Sequence, residues 1–168
     1  MTFTCVSVTY LASTADAVWR ALTNAEVSAA WWAHHNVSDW QPGSRWEHRR
    51  ADGSDIADIA GIVVAADPPT RLVLTWANPI DGTPVAGVDP CSADAHRAIG
   101  PSRVTVEIAP GRGTVRLTVT HDNLIGEAER DALAAGWAAV IANLKTLLET
   151  GKPLPQPPWE MLPGFVRQ

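Results

Sequence analysis

Apolar residues fall at every second position over several stretches between Thr2 and His121, and at every third or fourth position beyond Gly126. A period of two predicts strands whose faces differ in polarity. Thr2–Tyr10 sets Val6, Val8 and Tyr10 on one face, and Arg71–Ala77 groups Leu72, Leu74 and Trp76. Ser102–Ala109 aligns Val104, Val106 and Ile108, and Thr114–His121 puts Val115, Leu117 and Val119 on the face of His121. Shorter strands are expected over Asn36–Trp40, over Arg45–Arg50 with Trp46 beside His48, and over Ile56–Ala66. Ala51-Asp52-Gly53-Ser54, Asp67-Pro68-Pro69-Thr70 and Pro110-Gly111-Arg112-Gly113 carry the residues that reverse a chain between strands.

Two short helices interrupt the strands. Ser13-Thr14-Ala15-Asp16 and Thr23-Asn24-Ala25-Glu26 each look like a helix start, the first leading to Val18, Trp19 and Leu22 and the second to Trp31-Trp32. The long helix is the last element. Trp137, Val140, Ile141, Leu144, Leu147 and Leu148 form its apolar face, Asn143, Lys145, Thr146 and Glu149 its polar face, and Gly151 its C-terminal cap. About 24 residues of helix span roughly 36 Å, and this helix alone is long enough to cover an antiparallel sheet that is apolar on one side. A seven-stranded sheet curved around it is the expected architecture, in the α+β class. Gly136, inside that helix, suggests a close approach to a strand or guest, or a kink or late start there.

At 168 residues the chain suits one domain, set at 1–152, with a proline-rich tail at 153–168. The tail's Trp159, Met161, Leu162, Phe165 and Val166 are expected to dock on the same domain, a twin subunit or another protein being the alternatives. The net charge of −5 disfavours a nucleic-acid partner, and the densest basic run, Arg45, His48, Arg49 and Arg50, reads as a solvated strand edge. Cys5 and Cys91 make no disulfide framework, the N-terminus lacks a signal-peptide pattern, and no long uninterrupted apolar run suggests a membrane span, so a cytoplasmic protein is expected.

Seven segments in order, Ala17-Val18-Trp19-Arg20-Ala21-Leu22-Thr23, Trp31-Trp32, Asp39-Trp40-Gln41-Pro42-Gly43, Asp67-Pro68-Pro69-Thr70-Arg71-Leu72, Leu117-Thr118-Val119-Thr120-His121, Gly136-Trp137 and Asn143–Gly151, carry a resemblance. Over roughly residues 3–155 the chain resembles the SRPBCC superfamily of START-like and Bet v 1-like helix-grip proteins. Within it the chain is most similar to the family named for the C-terminal domain of the chaperone-ATPase activator Aha. The resemblance implies a helix-grip fold with a cavity between sheet and helix, often holding a hydrophobic ligand, and no shared catalytic residues. Fold alone does not give function. The segment Asn78–Pro101 and the tail depart from the pattern.

Eight tryptophans against two Phe and one Tyr concentrate indole chemistry in the expected interior. The expected ligand-binding residues are Trp31, then Trp46 and His48, then Leu74 and Trp76 from the sheet. Val106, Leu117 and His121 continue the sheet wall, and Trp137, Val140, Ile141 and Leu144 come from the helix. Indoles offer broad apolar faces with one N–H donor each, and His48 and His121 are candidate polar handles. The expected function is non-catalytic binding of a small aromatic or lipid-like molecule, with no cofactor. The alternatives are a polyketide cyclase or dehydratase-like enzyme in which His121 moves protons, and a chaperone-interacting module. A homodimer is a further expected partner arrangement. His34-His35 with His48 or His121, and Cys91 with Asp94 and His96, lack the spacing of a metal or nucleophile site, and no metal is expected.

Overall fold

The computed structural model describes residues 1–77 and 99–162. Strand β1 (Phe3–Leu11) leads into helices α1 (Ala15–Thr23) and α2 (Ala25–Trp32). Strands β2 (His34–Val37), β3 (Arg45–Arg50), β4 (Ala57–Asp67), β5 (Arg71–Trp76), β6 (Ser102–Pro110) and β7 (Val115–Leu124) follow, and then helix α3 (Glu127–Thr150). The seven strands form one antiparallel sheet in the order β1-β7-β6-β5-β4-β3-β2. Consecutive strands from β2 to β7 pair as hairpins, and β1 closes the far edge against β7. The chain has the seven-stranded helix-grip α+β architecture.

The two helix starts form as their caps require. Thr14 accepts the Ala17 N–H at 3.2 Å and Asn24 accepts the Val27 N–H at 3.0 Å, each satisfying an amide that a helix start leaves unpaired. The other end of α1 is finished by neighbouring side chains. The Ala21 carbonyl accepts the Trp31 indole at 3.1 Å, the Leu22 carbonyl the Asn36 amide at 2.8 Å, and the Thr23 carbonyl the Trp40 indole at 2.8 Å. These last-turn carbonyls have no intrahelical partner, so they fix three side chains that line the interior.

The inward rows of the sheet follow from register. Val104 faces His121, Val106 faces Val119 and Ile108 faces Leu117 across β6 and β7, and Leu72 and Leu74 meet Val106 and Val104 across β5 and β6. All are buried, and α3 lays Trp137, Ile141 and Leu144 over them. By length and apolar composition α3 is also long enough to cross a bilayer, but this stripe is spent on the core. Gly151 ends it in the left-handed region at φ 78°.

On β1 the residues Val6, Val8 and Tyr10 share one face as expected, and it turns outward, 58%, 53% and 61% exposed, while Cys5 and Leu11 point into the core. Three local expectations are corrected. Strand β2 starts at His34 rather than Asn36, because Ala33 caps α2 in the left-handed region (φ 56°) and turns the chain straight into the sheet. Asn143, expected on the polar face, is buried at 2% exposure. Its amide donates to the Trp31 carbonyl and its oxygen accepts the Leu154 N–H at 2.7 Å, joining α3 to α2 and to the tail. Gly136 makes no close approach among the described residues: an added Cβ would meet none of them within 4 Å, and α3 begins nine residues earlier at Glu127.

The tail docks on the same chain through Leu154, through buried Pro158 and through Trp159, which stands edge-to-face on His34 at 5.0 Å. Phe165 and Val166, Cys91 with Asp94 and His96, and the Asn78–Pro101 segment up to residue 98 lie outside the described residues.

Candidate functional site: the indole-walled interior

Between the sheet and α3 lies an apolar space walled chiefly by tryptophan. Trp31, Trp46, Leu74, Trp76, Val106, Leu117, Trp137, Val140, Ile141 and Leu144 all line it, as expected from parity and helix phase. Asn36, Trp32 and Trp40 line it too and were not expected there. For Trp32 the signal was present in the Trp31-Trp32 pair at the helix end. Asn36 and Trp40 are placed by the carbonyls of α1, which no periodicity reports.

The rings meet one another. Trp32 stacks on Trp31 at 4.9 Å between centroids and meets Trp137 edge-to-face at 5.8 Å. Trp76 lies 5.3 Å from Trp46, 5.5 Å from Trp137 and 6.4 Å from Trp32. Such tilted and edge-to-face contacts are the favoured geometries of aromatic pairs. The expected hollow is thereby nearly filled: about 30 Å³ remains unoccupied, room for a water molecule and no more.

His48 and His121 stand behind this wall rather than on it. His121 is wholly buried, accepts the Trp137 indole N–H at Nδ1 (3.2 Å) and lies 2.8 Å from the Ser102 hydroxyl through Nε2. An indole nitrogen can only donate, so Nδ1 carries the lone pair and Nε2 the proton. Ser102 then accepts from His121 and donates to the Trp76 carbonyl at 3.0 Å. This relay pins the end of β5 to β6, β7 and α3.

His48 is governed by the other end of the sheet. The Asn36 amide nitrogen is committed to Leu22, so its oxygen accepts, and His48 donates from Nδ1 at 2.6 Å. Burial pushes the His48 imidazole well below its usual pKa, the neighbouring His34 charge lowers it further, and Asp58 only partly opposes. His48 therefore stays neutral. His34 stacks on it at 4.0 Å, nearly parallel at 3°. The two His34 nitrogens lie 3.2 Å from the Trp32 carbonyl and 2.8 Å from Asp58.

Asp58 is the hinge of this outer cluster. Burial raises its pKa, but the hydrogen bonds of His34 and of the bidentate Arg50 outweigh burial and hold the carboxyl far below the ordinary carboxylate range. A depressed carboxylate stabilises the fold above its unfolded pKa of about 4, and the contribution fades as pH falls below that. Asp58→Asn is expected to lower the urea midpoint at pH 7 and to flatten the decline in stability below about pH 4; a midpoint that keeps the original acid dependence goes against it.

The remaining chemistry is structural. Arg45 and Arg49 pair with Glu47 at 2.7 and 2.5 Å, Arg49 also with Asp55 at 2.7 Å, and Arg50 with Asp58 at 2.7 Å, so three carboxylates offset the three arginines of β3. Burial pushes the unpaired Cys5 thiol up, keeping it protonated. Among the described residues, no three His, Cys, Asp or Glu side chains gather as a metal site would need.

A sequence profile of the family described as "Activator of Hsp90 ATPase homolog 1-like protein" matches residues 12–149. The chain belongs to this family. The match runs from the turn after β1 to the end of α3 and takes in every wall of the interior. No curated protein sequence matches.

Solved structures share the fold. An Aha1 protein from Colwellia psychrerythraea, described as a dimer in solution, superposes with a TM-score of 0.68 at 16% identity over 89% of this chain and 98% of its own. CalU16 from Micromonospora echinospora gives 0.69 at 17% identity over 98% of this chain and 76% of its own. The product of gene BPP1335 from Bordetella parapertussis gives 0.64 at 24% identity over 90% and 78%. At these identities the likeness concerns the fold alone.

Proposed function

We propose that this chain is a non-catalytic binder of a small hydrophobic molecule, aromatic or lipid-like, taken up between the sheet and α3. The observation that carries the reading is a wall of Trp31, Trp32, Trp46, Trp76 and Trp137 in a space that no charged side chain among the described residues lines. Pockets of this kind are mostly apolar with few polar groups. Family membership supports it, since the fold often holds hydrophobic ligands. With about 30 Å³ free in the present state, uptake requires side chains to move first.

The cyclase or dehydratase alternative would use His121 as a proton carrier. A general base needs its lone pair within reach of the substrate proton, and Nδ1 of His121 is occupied by the Trp137 indole. That arrangement favours holding over turnover. Titration with a panel of hydrophobic compounds, followed by tryptophan fluorescence, is expected to give a saturable change. A flat response across aromatic and acyl members alike would contradict the reading.

A second reading concerns partners. Val6, Val8 and Tyr10 form an exposed apolar stripe along β1, and the Colwellia relative is described as a dimer. Pairing of two copies through this stripe is the proposed contact. A chaperone, suggested by the family's description, is the other partner suited to the same stripe.

A further inference from the structure

The tryptophans around the interior are not held alike. Trp31, Trp40, Trp46 and Trp137 each donate the indole N–H to a fixed acceptor: the carbonyls of Ala21, Thr23 and Thr75 and the ring of His121, at 2.8–3.2 Å. Neither Trp32 nor Trp76 donates its indole N–H to a described residue, and of these two only Trp76 is partly exposed. The Trp76 ring is also the common neighbour, with His121 at 5.6 Å and His48 at 6.4 Å in addition to the three indoles already named. Trp31, Trp32, Trp46 and Trp137 are buried, whereas Trp76 is partly exposed. Trp76 thus lines the interior while keeping some contact with solvent.

The backbone beneath this ring is fixed. Trp76 sits opposite Ser102 in the sheet, and the Ser102 hydroxyl donates to its carbonyl. Movement is left to the side chain, and a rotation about its first bonds breaks no hydrogen bond to a described residue. Displacing any of the four anchored rings instead leaves a carbonyl or imidazole acceptor without its indole donor.

We propose that the Trp76 indole is a displaceable plug, and that the guest, a flat, uncharged, bicyclic aromatic of about indole size, occupies the place this ring now holds. The inference rests on the binding reading above and adds to it the site, the moving part and the class of guest. The free space is too small for any organic molecule, whereas an apolar cavity of about 150 Å³ already takes a benzene. Vacating one indole supplies that order of room, between the rings of Trp32, Trp46 and Trp137. A flat guest restores the ring contacts that Trp76 gives up. Among the described residues a charged guest finds no partner, because Asn36 is the only polar one lining the space and its amide already bonds Leu22 and His48.

The test uses indole as the aromatic probe and dodecanoate as the acyl probe, with the unchanged chain and with Trp76→Ala and Trp76→Leu. In the unchanged chain, saturation with indole is expected to shift the Trp76 indole N–H resonance and speed its exchange with solvent, leaving the Trp31 and Trp46 resonances protected. Both variants are expected to bind indole at least about tenfold more tightly, because a guest that must first expel a ring loses affinity in proportion to the rarity of the open state. Trp76→Leu keeps the comparison available should the alanine variant fail to fold. Indole binding with the Trp76 resonance unmoved, or variants that bind no more tightly, would overturn the plug while leaving the binding function in place. Preference for dodecanoate would overturn the aromatic class. Failure of both probes with every form would overturn the plug and the binding reading together.

Discussion

Replacing Gly61 with alanine is expected to lower the unfolding free energy by about 3 kcal/mol, the upper range for forcing atoms into a packed core. A Cβ built at Gly61 would lie 2.0 Å from the Thr75 carbonyl oxygen and 2.7 Å from its carbon, and backbone in the middle of a sheet has little freedom to retreat. Three further contacts converge there. Trp46 pairs with Gly61 across β3 and β4, and its indole donates to the same Thr75 carbonyl at 2.9 Å. The Ile62 N–H donates to the Thr75 hydroxyl at 2.8 Å, at the approach to the irregular register between Val63 and Ala65. The absent side chain thus lets β4 and β5 close and lets a tryptophan cross over them. Gly136→Ala is the matched control. With nothing near the added methyl, it is expected to raise stability by up to about 1 kcal/mol. Urea unfolding of the two variants checks both signs, and equal midpoints would contradict the account of Gly61.

The second large effect is expected at Asn143. Substitution by alanine removes one side chain that serves two backbone groups, the Trp31 carbonyl and the Leu154 N–H. The buried Trp31 carbonyl left unpaired costs about 1–3 kcal/mol and the half-buried Leu154 amide less, so a loss of roughly 2 kcal/mol is expected. The variant should also release the tail, because the Leu154 bond is one of the links between the tail and α3. Hydrogen exchange at the Leu154 amide separates this from general destabilisation. Faster exchange at Leu154 than in the strands is expected, and a uniform change throughout the chain would contradict the bridging role.

The sheet and α3 were legible because each buries one face, and burial on one face writes a period of two or of 3.6 into the sequence. Periodicity names the two faces of a strand without saying which turns inward. On β1 the outer face carries Val6, Val8 and Tyr10 while the inner one carries Cys5, Ser7 and Thr9, so polarity alone assigns the faces wrongly. Asn143 escaped for a related reason. A polar residue on a helix normally goes to water, and only the fold reveals that a carbonyl from α2 and an amide from the tail need one amide side chain at that point. The interior's membership was likewise readable from strand parity, but its fullness was not. How closely six indoles interlock depends on ring orientation, which the hydrogen bonds of Trp31, Trp40, Trp46 and Trp137 to groups far along the chain determine.

The account rests on guest uptake between sheet and helix, and locating a guest directly tests it best. Intermolecular NOEs from bound indole to the methyl groups of Leu74, Val106, Leu117 and Ile141 are expected in the unchanged chain, all four lining the interior. Indole NOEs confined to the outward Val6 and Val8, with the four interior residues silent, would contradict it.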